Sequence, residues 1–120
     1  MIRAIDLDEK LLQIREHWSP KIVAQMNDQQ FKLVKLAGEF VWHEHPATDE
    51  VFLVLHGEMT VHFRGHDVRV AAGELVVVPR GIEHKTSAES ECSVLVVEAA
   101  GTLNTGTAGG ALTAPPDDWI

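Results

Sequence analysis

Three histidines and one glutamate occur at spacings that suit a metal site. His43 and His45 are two residues apart, so on a β-strand their side chains lie on one face and both imidazoles can reach one ion. Glu50 comes five residues after His45, an offset that would put it on the opposite face of a continuous strand. The segment 46–49 contains a proline and an aspartate, which favour turns. A turn there resets the strand phase and lets Glu50 point back at the histidines.

The fourth residue, His84, belongs to a second segment of the chain. The run from Leu75 to Val78 is rich in β-branched residues and predicts a buried strand, which Pro79 ends and Gly81 allows to turn. Imidazole and carboxylate ligands suit Fe, Mn, Ni, Cu or Zn, and the lack of a thiolate argues against a soft-metal site. Four protein ligands on an octahedral ion leave about two positions for water or substrate, as in a catalytic centre.

These two segments resemble the two sequence motifs of the cupin family. The first motif is matched by Gly38, His43, His45, Glu50 and Gly57, and the second by Gly73, Pro79, Gly81 and His84. The resemblance covers roughly residues 31 to 98. One departure is Ala88, at a position where the family often has asparagine.

The resemblance implies both a fold and a set of ligands. The fold is all-β, a double-stranded β-helix or jelly-roll barrel, with a short N-terminal helix. The implied ligands of one divalent transition metal ion (Fe, Mn, Ni, Zn or Cu) are His43, His45, Glu50 and His84. Small cupins of this kind are often dimers, and stand-alone chains of this type resemble those described as mannose-6-phosphate isomerase-like.

The rest of the chain predicts one domain over residues 1–120. Asp6 can cap a helix over about residues 6–18, with Glu9 completing a capping box. Several short strands with frequent turn signals predict a barrel core over about residues 21–98. The tail, residues 99–120, is rich in Gly, Thr and Ala and cannot form its own core. Its terminal Trp119 and Ile120 either dock the tail onto the barrel or a neighbouring subunit, or leave it mobile.

Composition limits which partners the protein is expected to bind and where in the cell it is expected to be. The chain has 120 residues and a formal net charge of −8, and an acidic balance disfavours binding to nucleic acid or to anionic lipid. Cys92 is the only cysteine, so no intrachain disulfide can form. No leader and no apolar run of membrane length is evident. We therefore expect a soluble cytoplasmic protein.

Strand phase also predicts an interface and a weak catalytic candidate. Both faces of Val51 to Leu55 are apolar, so the outer face should be covered by the N-terminal segment or by a second subunit, which predicts a homodimer.

His56 shares its phase with Glu50 and Phe52, and is a weak candidate for a proton shuttle in the pocket, although a solvent-facing role is favoured. Glu44 should point away from the histidines.

Two classes of function fit these residues. In the first, the chain is a metalloenzyme that acts on a small oxygen-rich metabolite, such as a sugar, a sugar phosphate, a carbonyl compound or an organic acid, with isomerase-like or dioxygenase chemistry. In the second, the same ion serves a non-catalytic module that binds or senses a small ligand. The fold does not choose between them, because one fold hosts many functions.

Overall fold

The computed structural model describes residues 1–120 as one short helix followed by seven strands. The helix is α1 (Leu7–Leu11). The strands are β1 (Lys21–Met26), β2 (Gln29–Glu39), β3 (Glu50–His56), β4 (Glu58–Phe63), β5 (Asp67–Ala71), β6 (Leu75–Val78) and β7 (His84–Ala99). No helix is long and apolar enough to cross a membrane.

The long strand β7 joins the two halves of the barrel. All pairings between these strands are antiparallel, in the order β1-β2-β7-β3-β6, and β4 pairs with both β5 and β7. The first part of β7 pairs with β4 and its later part with β3, while β2 runs beside both parts. The all-β jelly-roll fold predicted from the sequence is confirmed.

The core fills the barrel interior with side chains that alternate along the strands. Val54, Val61, Val94 and Cys92 are fully buried there, with eight further buried residues around them. A smaller cluster of Leu11, Ile14, Val23 and Leu33 lies under the N-terminal segment, outside the barrel. Successive side chains on a strand point to opposite faces, so alternate residues are buried in the barrel interior and the others lie on the outer face.

The N-terminal helix is shorter than predicted. Asp6 caps it as expected, by accepting a hydrogen bond from the Glu9 amide at 3.1 Å. The helix ends at Leu11 rather than near residue 18, and Gln13 and Ile14 close tighter turns onto carbonyls three residues back. Trp18 takes a left-handed backbone conformation, and its amide binds the Lys35 carbonyl. Trp18 packs against the barrel core in this conformation, so the chain does not continue as a helix to residue 18.

Candidate metal centre

The four predicted residues meet inside the barrel. One ligand atom from each of His43, His45, Glu50 and His84 lies within 4.8 Å of the other three, and all four residues are buried. Two ligands of one ion, each about 2.1 Å from it, are at most about 4.2 Å apart. A single ion therefore fits this cluster with small adjustments of the side chains.

Backbone pairing sets two of the histidines opposite each other. The amide of His43 donates to the carbonyl of His84 at 2.9 Å, and the amide of His84 donates back to the carbonyl of His43 at 2.9 Å. The ring centroids of the two imidazoles are 4.4 Å apart. This bridge explains how a histidine 41 positions later in the chain reaches the same ion site.

Each of these two rings is oriented by a carbonyl on its own segment. His43 Nδ1 lies 2.8 Å from the Val41 carbonyl, and His84 Nδ1 lies 2.8 Å from the Ile82 carbonyl. A carbonyl only accepts, so Nδ1 carries the proton and Nε2 keeps its lone pair. Metal-binding histidines show this arrangement in general.

The third histidine has a buried nitrogen without a hydrogen bond. His45 Nε2 has no hydrogen-bond partner and lies 3.5 Å from Glu50 Oε1. Such an atom is costly unless it is satisfied. A bound cation would satisfy it, so the donor set fits a metal ion.

The segment 46–49 places Glu50 as the turn signals predicted. The Thr48 hydroxyl accepts a hydrogen bond from the Ala99 amide at 3.1 Å, and Asp49 Oδ1 accepts from the Arg80 amide at 2.9 Å. These contacts tie the turn to β7 and to the loop after β6. Glu50 then starts β3 on the inner face, 4% exposed.

The electrostatics of the cluster favour the metal-ready forms of its residues. Burial lowers the pKa of His43 to about 4, although the hydrogen bond to the Val41 carbonyl acts in the opposite direction. Burial alone would raise the pKa of Glu50, but the imidazoles of His45 and His84 beside the carboxylate outweigh it and hold that pKa below its usual range. His43 is thus neutral and Glu50 ionised at neutral pH, as metal binding requires.

A cavity opens beside this cluster. Phe52 lines it, as the strand phase predicted. Its polar lining consists of His43, Glu50, Thr86, Glu98 and Asn104, and its remaining lining of Trp18, Pro20, Val34, Leu36, Phe40, Phe52 and Val96. None of these is a lysine or an arginine.

His56 does not enter the cavity, so its candidacy as a proton shuttle is wrong. A β-bulge between Val54 and His56 breaks the register of β3 with β7. The His56 side chain is 60% exposed on the outside of the barrel, where Nε2 lies 2.7 Å from Asp8 Oδ1. The bulge shifts the strand phase by one residue at the end of β3.

Two buried charges near the site were missed by the sequence analysis. Lys32 Nζ lies 3.0 Å from Glu98 Oε1, and both residues are 2% exposed. Burial and the nearby Glu50 carboxylate raise the pKa of Glu98 well above its usual range, and Lys32 opposes them. Strand phase could have found the pair. Lys32 lies on the same face of β2 as Val34 and Leu36, and Glu98 lies on the same face of β7 as Val94 and Val96.

Comparison with known proteins agrees with this fold. A family model described as a cupin domain matches residues 31–98. The chain is 31% identical over 87 residues to the uncharacterized protein YdbB of Bacillus subtilis, which covers 72% of this chain and 77% of YdbB. A solved cupin-2 domain containing protein from Shewanella frigidimarina is 48% identical with a TM-score of 0.78, covering 79% of this chain and 93% of that one. Protein NMB1881 from Neisseria meningitidis is 36% identical with a TM-score of 0.75, covering 81% and 99%.

Proposed function

Because this chain belongs to the cupin family, we propose that it is a metal-dependent enzyme acting on a small oxygen-bearing organic molecule. The observation that carries the proposal is the buried set of three histidines and one glutamate, whose ligand atoms lie within 4.8 Å of one another. Part of this set lines a cavity, which gives a ligand room beside the ion. A divalent ion there would supply Lewis-acid polarisation of a substrate oxygen, or dioxygen activation if it is Fe(II).

The cavity favours a substrate without a phosphate group. No lysine or arginine lines it, and the nearest buried ammonium, on Lys32, already contacts Glu98 and the Thr102 carbonyl at 3.2 Å. A phosphate needs cationic or amide donors, and the Asn104 amide in the lining already donates to the Trp18 and Leu112 carbonyls. The aromatic and aliphatic side chains instead suit a compact molecule that binds the ion through one or two oxygens. Carbonyl compounds and organic acids fit this description better than sugar phosphates.

A non-catalytic binding or sensing module is the second candidate function. It is favoured by the position of His56, because this weak candidate for a proton shuttle lies outside the cavity. Assays of isomerisation with unphosphorylated sugars, and of oxygen consumption with dicarbonyl and catechol compounds, separate the two. Turnover that depends on the metal supports the enzyme. Tight metal-dependent binding of these compounds without any turnover supports the module.

The metal site itself is tested by elemental analysis of purified protein. Wild-type protein should contain one divalent transition metal per chain, and His45→Ala should lose it while the barrel stays folded. The affinity should fall by more than the roughly 10- to 100-fold seen when only a hydrogen-bond partner of a ligand is removed. His66→Ala is the control, because His66 is exposed at the β4–β5 hairpin. Equal metal content in the two variants would contradict the site.

Two nearby glutamates provide a matched test of the strand phase. Glu50→Gln should weaken metal binding strongly, because a charged ligand becomes a neutral amide. Glu44 is only half-buried and its carboxylate makes no hydrogen bond or ion pair. Glu44→Gln should therefore change the affinity by a few-fold at most, less than about 1 kcal/mol for a solvent-screened charge. Metal titrations of both variants in one buffer measure the difference, and equal losses would refute the assignment of Glu50.

A further inference from the structure

The buried pair of Lys32 and Glu98 has no part in holding the metal. Lys32 Nζ donates to Glu98 Oε1 at 3.0 Å and to the Thr102 carbonyl at 3.2 Å. Removing two charges from water costs several kcal/mol for each ion, and packed apolar residues of similar volume often stabilise such a position more. A buried pair at this position therefore calls for an explanation other than stability.

Strand register places this pair next to the ligand Glu50. Val51 of β3 lies opposite Val97 of β7, so Glu50 and Glu98 are neighbours across the two strands on the inner face. Neighbouring strands lie about 4.8 Å apart. The Glu98 side chain lines the same cavity as His43 and Glu50. A ligand on the ion would thus have the Glu98 carboxyl within reach.

One oxygen of Glu98 receives no hydrogen bond from an N–H or O–H donor of the protein. Oε1 accepts from the Lys32 ammonium, whereas Oε2 is buried with no such donor, and the Glu50 carboxylate lies close enough to share a proton with Glu98. Oε2 therefore accepts no hydrogen bond in exchange for the hydration that it loses on burial. A hydroxyl group satisfies such an oxygen whether or not the carboxyl carries a proton, because a hydroxyl both donates and accepts.

We propose that Lys32 and Glu98 form a second polar subsite of the cavity, where Glu98 Oε2 exchanges a hydrogen bond with a hydroxyl group of the metal-bound ligand. The subsite indicates the class of ligand, which is an organic acid or carbonyl compound with a further hydroxyl group besides the oxygens that bind the metal. Lys32 is a positioning residue that holds Glu98 in the cavity wall. The proposal rests on the proposed metal site.

Matched pairs of α-hydroxy acids test the subsite. The cobalt(II)-loaded protein is titrated with lactate against glycerate, and with 2-hydroxybutyrate against 2,4-dihydroxybutyrate, and binding is followed by the visible absorption of cobalt. Within each pair only the added hydroxyl differs. The wild type should prefer the hydroxylated acid by about ten-fold or more in at least one pair, as a hydrogen bond to a charged group provides.

Two variants separate the subsite from the fold. The double variant Lys32→Met with Glu98→Leu replaces the pair by apolar residues of similar size, a change that is often neutral for stability. It should keep one cobalt per chain and bind each hydroxylated acid no more tightly than the matched acid without the added hydroxyl. Glu98→Gln keeps a hydrogen-bonding group at the same place and should retain part of the preference.

The outcomes are distinct. No preference in either pair, or an unchanged preference in the double variant, overturns the subsite while leaving the metal site standing. Absence of cobalt, or no binding of any of the four acids, overturns the proposed function and this inference with it. A crystal structure of the glycerate or dihydroxybutyrate complex gives a readout that needs no variant. The added hydroxyl must then lie within about 3.2 Å of a Glu98 carboxyl oxygen.

Discussion

The chemistry of the site depends on how single rings are held. His43 and His84 both turn Nδ1 toward a carbonyl two residues earlier in the chain, at 2.8 Å. This contact fixes the tautomer, so Nε2 faces the ion position in both residues. The ligands therefore need little reorganisation to bind, because their orientation is already set by the backbone.

The depressed pKa of His43 predicts that the metal-free protein loses stability in mild acid. The folded pKa is about 4 and the ordinary value is 6.5, so between these values the unfolded chain binds more protons. Stability therefore rises with pH across this window and falls as pH drops through it. The contribution of His43, taken as the difference in urea unfolding between metal-free wild type and His43→Gln, should fall by roughly 2 kcal/mol from pH 7 to pH 5.

This pH window separates the contribution of His43 from that of Glu50, because the lowered pKa of Glu50 means that its contribution is lost only as pH falls below its ordinary value of 4.5. Glu98 acts in the opposite direction, because its raised pKa adds stability as pH falls. The comparison is therefore between variants: His43→Gln should remove the loss assigned to His43, whereas His66→Gln, at the exposed hairpin, should leave the pH dependence of the wild type unchanged. The same pH dependence in wild type and His43→Gln would show that His43 is not held neutral by burial.

Single residues also show what the sequence could predict. Alternation predicted that His43 and His45 share a side, and both reach the site, although their segment forms only an isolated bridge at His43 rather than a regular strand. Glu50 was placed correctly because the proline and aspartate before it signal the interruption. It failed for His56, because the β-bulge beside it is set by pairing with β7 and carries no signal in the β3 sequence. Glu98 was readable from its phase but was overlooked, since a charge at the end of a strand suggests solvent.

At the scale of elements, the C-terminal strap (residues 99–120) is part of the site. The Thr107 amide donates to the Glu44 carbonyl at 3.2 Å, and Asn104 Nδ2 donates to the Trp18 carbonyl at 3.0 Å. The strap then returns to β1, where Ile22 pairs with Trp119. Of the alternatives left by the sequence, the structure shows docking onto the chain's own barrel. Composition could not choose, because each of these contacts involves at least one backbone group, which every residue type carries.

The close approach of the strap at Gly106 can be tested by adding one methyl group. A Cβ at Gly106 would lie 2.1 Å from the Glu44 carbonyl oxygen and 3.1 Å from His45 Nδ1. Gly106→Ala should therefore push the strap away from the segment that carries His45. We expect lower thermal stability and weaker metal binding, measured by calorimetry and by metal titration.

Gly109→Ala is the matched control for this substitution. Both glycines have a positive φ, +53° and +64°, so alanine meets a similar backbone penalty of about 1–2 kcal/mol at each. A Cβ at Gly109 meets no atom within 4 Å, so only Gly106→Ala adds a steric clash. If the two variants lose the same stability and the same metal affinity, the strap does not support the ligand His45.

At the scale of the whole molecule, one apolar face stays uncovered. The N-terminal segment covers Leu55 and Leu95 with the small outer cluster around Leu11 and Ile14. Beyond it lies the outer patch, formed by Val51, Leu53, Leu75, Val77 and Val97. Leu75 and Val77 are 59% and 53% exposed, and they lie opposite Leu53 and Val51 on the neighbouring strand. The N-terminal segment thus covers only part of the doubly apolar strand noted in the sequence.

We propose that a second copy of the chain covers the outer patch, giving a homodimer. A contiguous apolar patch on a regular sheet face is typical of an interface between identical subunits.

Light scattering at micromolar concentration should give about twice the 13.2 kDa of one chain. Val77→Glu places a charge in an exposed part of the patch and should shift the mass toward that of one chain. Leu12→Glu is the control, because Leu12 is 80% exposed on the N-terminal segment and should leave the mass unchanged. A wild-type mass near 13.2 kDa at every concentration, or equal effects of the two variants, would reject this interface.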